Sequence, residues 1–247
     1  PHRVPKPRLP PINTLSSMRT YAAGRSTVVA PYAYGKTTGG STWTPNSHVT
    51  DALDKAFYDS FQYQEPTGKR YLYALDVSGS MGVEVKPGLT ARDVSAAMAM
   101  SLMAVEPQVD VVGFTSGRRG GGWNPSGGNP LTPLDLSPRR RLDDNVKTIT
   151  GLDFGRTDCS LPARYAMEHG FNYDAIIIAT DNETWSGNGH PFQALEAYRR
   201  QVGRDVKQIV VGMTATNFTI ADPSDPHSLD VVGFDSSLPS LIAEFTK

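Results

Sequence analysis

Cysteine is nearly missing from this sequence: Cys159 stands alone among 247 residues. That scarcity excludes an internal disulfide framework and a Cys-based zinc site, and it suits a reducing compartment, so a cytoplasmic location is expected. Long apolar runs are missing too. None approaches the roughly 18 residues that a membrane-spanning helix needs, and no membrane partner is expected. Acidic residues are absent from the first fifty positions, which carry Arg3, Lys6, Arg8, Arg19, Arg25 and Lys36. The remainder sets 18 basic residues against 25 acidic ones, so the formal charge of −1 conceals a basic arm on an acidic body. Such an arm either meets nucleic acid or pairs with its own domain. The chain opens Pro1-His2-Arg3, with neither an initiator Met nor an apolar leader. It reads as a piece of a longer protein, with a further domain expected upstream.

What is present fits a globular α/β domain with an extension. Residues 1–69 are expected to be mostly irregular, with Pro1, Pro5, Pro7, Pro10 and Pro11 opening the chain and Gly, Ser and Thr filling Thr37 to Thr44. Two helices are predicted within them, Thr14 to Gly24 and Ser47 to Tyr63. The second carries Val49, Leu53, Ala56, Phe57 and Phe61 at helical spacing, and both need a surface to pack on. From Arg70 the texture changes. Apolar runs at Tyr71 to Leu75, Val109 to Phe114, Ala175 to Ala179, Ile209 to Met213 and, more weakly, Asp230 to Phe234 read as strands. Between and after them lie helical segments: Thr90 to Val105, Leu142 to Ile149, Ser160 to His169, Phe192 to Val202 and Ser237 to Phe245. Alternating strands and helices predict a mostly parallel sheet covered on both faces over residues 70–247, with ligands at the carboxyl ends of its strands.

Chemistry concentrates at that edge. Asp76, Ser78 and Ser80 recur every second residue as the chain leaves the first strand, Thr157 precedes a helix, and Asp181 follows the run that ends at Ala179. Three loops thus supply oxygen atoms and no His or Cys cluster competes, a donor set suited to Mg²⁺, which takes about six oxygen ligands and keeps several waters. Asp-x-Ser-x-Ser by itself is often only a polar turn; its place directly after an apolar strand, with Thr157 and Asp181 on later loops, favours a cation site. Asp158 and Glu183 lie nearby but can equally pair with an Arg or cap a helix.

These five residues, Asp76, Ser78, Ser80, Thr157 and Asp181, resemble the metal-ion-dependent adhesion site of von Willebrand factor A domains. The resemblance implies that Ser78, Ser80 and Thr157 contact the cation, Mg²⁺ with Mn²⁺ or Ca²⁺ as alternatives, while Asp76 and Asp181 act directly or through water. It also implies a protein partner that offers an Asp or Glu carboxylate to the metal. A site with few direct carboxylates leaves the cation net positive and attractive to such a group. Further stretches, Arg19-Thr20-Tyr21-Ala22-Ala23-Gly24-Arg25, Trp43-Thr44-Pro45, Asp51 to Tyr58, Pro66 to Arg70, Thr157 to Pro162 and Thr180 to Trp185, resemble the Ro autoantigen (TROVE) family. That resemblance implies a domain joined, in the whole protein, to a ring of helical repeats that binds Y RNAs and misfolded noncoding RNAs. Residues 1–69 would be the remnant of that module.

Other signals lead elsewhere. Ala30-Pro31-Tyr32-Ala33-Tyr34-Gly35-Lys36-Thr37 lacks the first glycine and the following helix of a phosphate-binding loop. A phosphotransferase with an aspartyl nucleophile wants a second carboxylate two residues after Asp76, where Ser78 stands. No Gly-x-Ser-x-Gly elbow supports serine hydrolysis, and His190 before Pro191 reads as a helix start. Arg118 and Arg119 beside Trp123, and Arg139, Arg140 and Arg141, are candidate phosphate contacts for RNA. Their plainer reading is a solvated loop and a helix start. The expectation is a cation-dependent binding domain and not an enzyme. The rivals are a purely structural, ring-closing role, a metal-dependent phosphoryl-transfer enzyme, and an extracellular adhesion module of the same fold.

Overall fold

Buried strands must be apolar on both faces, and the run after Arg70 takes the central place in the sheet for that reason. The computed structural model describes residues 10–26, 40–86, 88–115, 131–152, 157–181, 190–214, 220–234 and 238–247. In chain order its elements are α1 (Pro11–Ala22), α2 (Ser47–Asp59), β1 (Arg70–Asp76), β2 (Glu84–Lys86), β3 (Leu89–Thr90), α3 (Ala91–Val105), β4 (Gln108–Phe114) and β5 (Leu131–Pro133). There follow α4 (Leu142–Thr150), α5 (Leu161–Glu168), β6 (Ala175–Thr180), α6 (Pro191–Val202), β7 (Lys207–Gly212), β8 (Ser228–Val232) and α7 (Leu238–Thr246). Six strands form one sheet in the order β5-β4-β1-β6-β7-β8, parallel throughout except for the antiparallel edge strand β5. Among the described residues no helix is long and apolar enough to cross a membrane.

Alternation along β1 divides the core in two. Tyr71, Tyr73 and Leu75 join the layer built with Ala97, Met100, Ile149 and Ile242, whereas Leu72 and Ala74 join Ala163, Ala166, Leu195 and Tyr198 on the opposite face. Helices α3, α4 and α7 therefore cover one side, and α5 and α6 the other. The extension contributes to the first layer: Ile12, Leu15, Met18, Phe57 and Phe61 are all buried there. The Tyr58 hydroxyl also accepts from the Leu142 backbone N–H at 2.9 Å, tying α2 to the start of α4.

Differences from the expected boundaries have local causes. Helix α1 begins at Pro11 rather than Thr14, because Pro at the first helical position is already set to helical φ, and the Pro10 carbonyl accepts from Asn13 and Thr14. It stops before Gly24, whose φ of +66° lets the backbone turn where a Cβ would lie 2.7 Å from the Trp43 carbonyl oxygen. The second predicted helix ends its α-helical part at Asp59 and continues to Tyr63 as a 3-10 turn. Strand β5 and the hairpin β2–β3 went unpredicted because two or three residues are too few to show a period.

At the amino edge of the sheet, Asp174 clamps three segments. Its carboxylate accepts from the Arg70 backbone N–H at 2.8 Å and from Arg70 Nε at 3.2 Å, and it pairs with Arg204. Burial alone would push Asp174 upward, but the hydrogen bonds from Arg70 and Arg204 outweigh it and hold the carboxyl at about 2. A depressed carboxylate stabilises the fold above its unfolded value of 3.8 and loses that contribution as pH falls through about 2. With a side chain 22% exposed, the screened contribution is about 1–2 kcal/mol. Acid unfolding of Asp174→Asn is accordingly expected to lack a decline in stability that the wild-type shows across this window. Superimposable curves would remove the clamp.

Candidate cation site

The order of the sheet reverses direction around β1: the chain goes from β1 outward to β4, then returns to the other side of β1 as β6. Loops leaving β1 and β6 at their carboxyl ends therefore part there and open a crevice, as is general for such sheets. Asp76 is the last residue of β1 and is fully buried. Its Oδ1 accepts from the Ser78 backbone N–H at 2.8 Å. Its Oδ2 accepts from Thr180 Oγ1 at 2.7 Å and from Thr157 Oγ1 at 3.0 Å. Ser78 Oγ lies 3.0 Å from Ser80 Oγ, which in turn donates to Asp181 Oδ1 at 3.2 Å. All five expected residues thus form one connected cluster. Ser78, Thr157 and Asp181 are buried at its base, and exposed Ser80 marks its open side.

The electrostatics of the cluster leave it short of positive charge. Burial pushes Asp76 upward, against the hydrogen bonds from Thr180, Ser78 and Thr157. Burial and then the neighbouring Asp76 charge push Asp181 upward. Two desolvated carboxylates that repel each other favour any cation placed between them. The donors are oxygens only. Among the described residues no group of three or more His, Cys, Asp or Glu side chains gathers as a metal site, so hydroxyls would supply much of the ligation. Thr157 gives its one hydroxyl proton to Asp76, so towards any other partner its oxygen acts through lone pairs. This donor set fits a hard divalent cation that retains waters and does not fit a softer one.

Two further residues belong to the site. Thr180 ends β6 and bonds Asp76 directly; it was visible as an oxygen beside Asp181, but nothing local revealed that it points at Asp76. Arg92, in the first turn of α3, donates from Nη2 to the Ser78 carbonyl at 3.1 Å. Burial lowers its pKa, while the charges of Asp93, Asp76 and Asp181 act in the other direction. Its signal in the sequence was a basic residue at a helix N-terminus, where the helix dipole disfavours positive charge.

The remaining candidates lie apart from this cluster or outside the described residues. Asp158 accepts from the Ser160 N–H and hydroxyl and so shapes the start of α5. His190 caps α6 through Nδ1, which accepts from the Phe192 N–H at 3.3 Å. Strand β5 runs from the level of Phe114 back to that of Val112, carrying the chain away from the carboxyl edge before it reaches Arg139 to Arg141. There Arg140 pairs with Asp135 at 3.0 Å, Arg141 occupies the cap position of α4, and Arg139 and Arg141 are exposed. Within the basic arm, Arg19 pairs with Asp143 and lies 3.8 Å from Asp93, so at this position the arm engages its own domain. Arg118, Arg119, Trp123 and Glu183 lie outside the described residues.

Comparison with known proteins follows the same outline. A family model described as the Ro60 vWA domain matches residues 70–246. The chain is similar to the RNA-binding protein RO60 of Caenorhabditis elegans, 39% identical over 240 residues that cover 96% of this chain and 34% of that protein. It is 36% identical to the RNA-binding protein RO60 of Deinococcus radiodurans over 250 residues, covering 100% of this chain and 43% of that one. The crystal structure of the Deinococcus radiodurans RO (RSR) protein superposes with a TM-score of 0.80 at 36% identity, over 97% of this chain and 44% of that one. The chain spans less than half the length of each of these relatives.

Proposed function

This chain belongs to the Ro60 vWA domain family, and from that premise we propose that it is a divalent-cation-dependent ligand-binding domain of a noncoding-RNA-binding ribonucleoprotein. The observation that carries the reading is the convergence of Asp76, Ser78, Ser80, Thr157 and Asp181 at the carboxyl edge, with two carboxylates held desolvated and the Ser80 side open. Ser78, Ser80 and Thr157 would hold the ion, with Asp76 and Asp181 orienting their hydroxyls or joining them. When bound, Mg²⁺ supplies a positive charge to which a partner's Asp or Glu carboxylate is drawn. The chemistry stops at binding: Ser78 stands where an acid–base carboxylate would be needed for phosphoryl transfer.

Thermal unfolding with Mg²⁺ and with excess chelator tests the reading. At an ion concentration one hundred times the dissociation constant, binding to the folded state contributes about 2.7 kcal/mol, which at this size corresponds to a rise of roughly 5–10 °C in Tm. Ser78→Ala should remove most of that rise. An equal rise in wild-type and variant would place the ion elsewhere.

RNA binding is assigned to the whole protein, since both curated relatives are named RNA-binding proteins and this chain covers a minority of each. Exposed Arg139 and Arg141, with Arg140 between them, would add phosphate contacts from this domain. Replacing Arg139, Arg140 and Arg141 with Ala is expected to weaken RNA binding and to flatten its logarithmic salt dependence by about 0.7–0.9 for each phosphate that is no longer neutralised. An unchanged slope would exclude them from the interface.

A further inference from the structure

Tyr71 and Tyr73 leave the same face of β1, two residues apart, but their hydroxyls are treated differently. The Tyr71 hydroxyl lies 2.8 Å from Thr67 Oγ1 and 2.7 Å from Thr246 Oγ1, and so ties the entry of β1 to the end of α7. Tyr73 is 1% exposed, and among the described residues its hydroxyl meets no hydrogen-bond partner. An unsatisfied buried hydroxyl is unfavourable, and phenylalanine would fill the same space without it. Burial pushes the Tyr73 hydroxyl's pKa upward, so it stays protonated and has a proton to give.

Tyr73 lines a recess of about 40 Å³ between the sheet and three helices. The walls are mostly apolar: Ile12 of α1, Met98 and Leu102 of α3, Ile177 of β6 and Ile242 of α7. Gln64 and Ser101 also reach it, but they bond to each other. A water needs roughly 10–15 Å³, so the recess has room for a few waters or for the last few heavy atoms of a chain. Gln64, Leu102, Pro239 and Ile242 also line a groove of about 290 Å³, so the two spaces border on each other. Tyr71 lines that groove, about 7 Å along β1 from Tyr73. The charged residues that line the groove are Glu65, Glu106, Glu244 and Lys247. Lys247 pairs with Glu244 at 2.7 Å, whereas the bonds to Glu106 come from neutral donors, the Thr67 N–H and hydroxyl and the Gly68 N–H. One cation thus faces three carboxylates.

We propose that recess and groove together bind a small amphiphile: an ammonium group in the groove, a short aliphatic spacer, and at the apolar end an oxygen that accepts from the Tyr73 hydroxyl. The site shares no residue with the cluster around Asp76 and does not depend on a bound cation.

The test is titration of the isotope-labelled chain with aminohexanol, hexylamine and hexanol, followed by the backbone amide signals of Gln64, Ser101 and Ile242 in nuclear magnetic resonance. Aminohexanol should bind saturably there, about fivefold more tightly than hexylamine, which lacks the oxygen, and than hexanol, which lacks the charge; that is the size of one ordinary hydrogen bond or exposed ion contact. Tyr73→Phe should fold with a Tm no lower than that of wild-type, bind hexylamine as wild-type does, and lose the preference for aminohexanol over hexylamine. A preference that survives in Tyr73→Phe overturns the role of the hydroxyl, and equal affinities for aminohexanol and hexanol overturn the cationic end. A clear fall in the Tm of Tyr73→Phe would mean that the hydroxyl is already satisfied, which removes the premise. Absence of saturable shifts at these amides would leave the recess to water and overturn the site.

Discussion

Asp76→Asn is expected to stabilise the metal-free protein and to destabilise it, relative to wild-type, once Mg²⁺ is saturating. Asp76 is fully buried and held upward by that burial, with Asp181 as a like-charged neighbour. A neutral amide keeps an oxygen for the Ser78 N–H and can rearrange its bonds with Thr157 and Thr180, while removing a desolvated charge. The gain without metal should be about 1 kcal/mol, as is usual when a strained functional group is relieved. With Mg²⁺ at one hundred times its dissociation constant, the wild-type gains about 2.7 kcal/mol that the variant does not. Urea unfolding in chelator and in Mg²⁺ should therefore show the two midpoints exchanging order. A variant less stable under both conditions would mean that Asp76 is structural before it is functional.

The largest loss of stability is expected from Arg199→Ala. Arg199 is buried and Asp225 half-buried as a residue, but their side chains are only 8% and 9% exposed and pair at 2.8 Å. Arg199 also donates from Nε to the Val206 carbonyl at 2.9 Å and from Nη2 to the His227 carbonyl at 3.3 Å. One side chain thus joins α6 to the chain entering β7 and to the chain entering β8. Burial pushes Asp225 upward, yet bonds from Ser228, His227 and Arg199 together bring it below its ordinary value. Deleting the guanidinium leaves that carboxylate inside without its charge partner, at a cost of about 3–5 kcal/mol. Chemical unfolding of Arg199→Ala beside Arg199→Ala/Asp225→Ala separates the terms: the double variant should recover part of the loss. No recovery would attribute the loss to packing and to the two carbonyls.

Strands β1, β4, β6 and β7 were readable because both faces of each are buried for most of its length, which forces unbroken apolar runs such as Tyr71 to Leu75 and Ala175 to Ala179. Strand β8, at the edge and half-exposed, gave only a weak run displaced by two residues from Ser228–Val232. Antiparallel β5 depends on its register with Phe114 and Val112, a relation between distant residues that no local pattern encodes. The site divides in the same way. Asp76, Ser78 and Ser80 share one loop, and their spacing is visible in a single stretch. Thr180 reaches Asp76 across 104 residues, and Arg92 binds a backbone carbonyl that has no side-chain signature.

The measurement that bears most directly on the central claim is calorimetric titration of Mg²⁺ into metal-free wild-type and into a double variant, Asp76→Ala with Ser78→Ala, shown by circular dichroism to be folded. Saturable binding in the wild-type that disappears in the double variant is the result predicted. Equal binding by both, or none by the folded wild-type, would contradict a cation site at the carboxyl edge of this sheet.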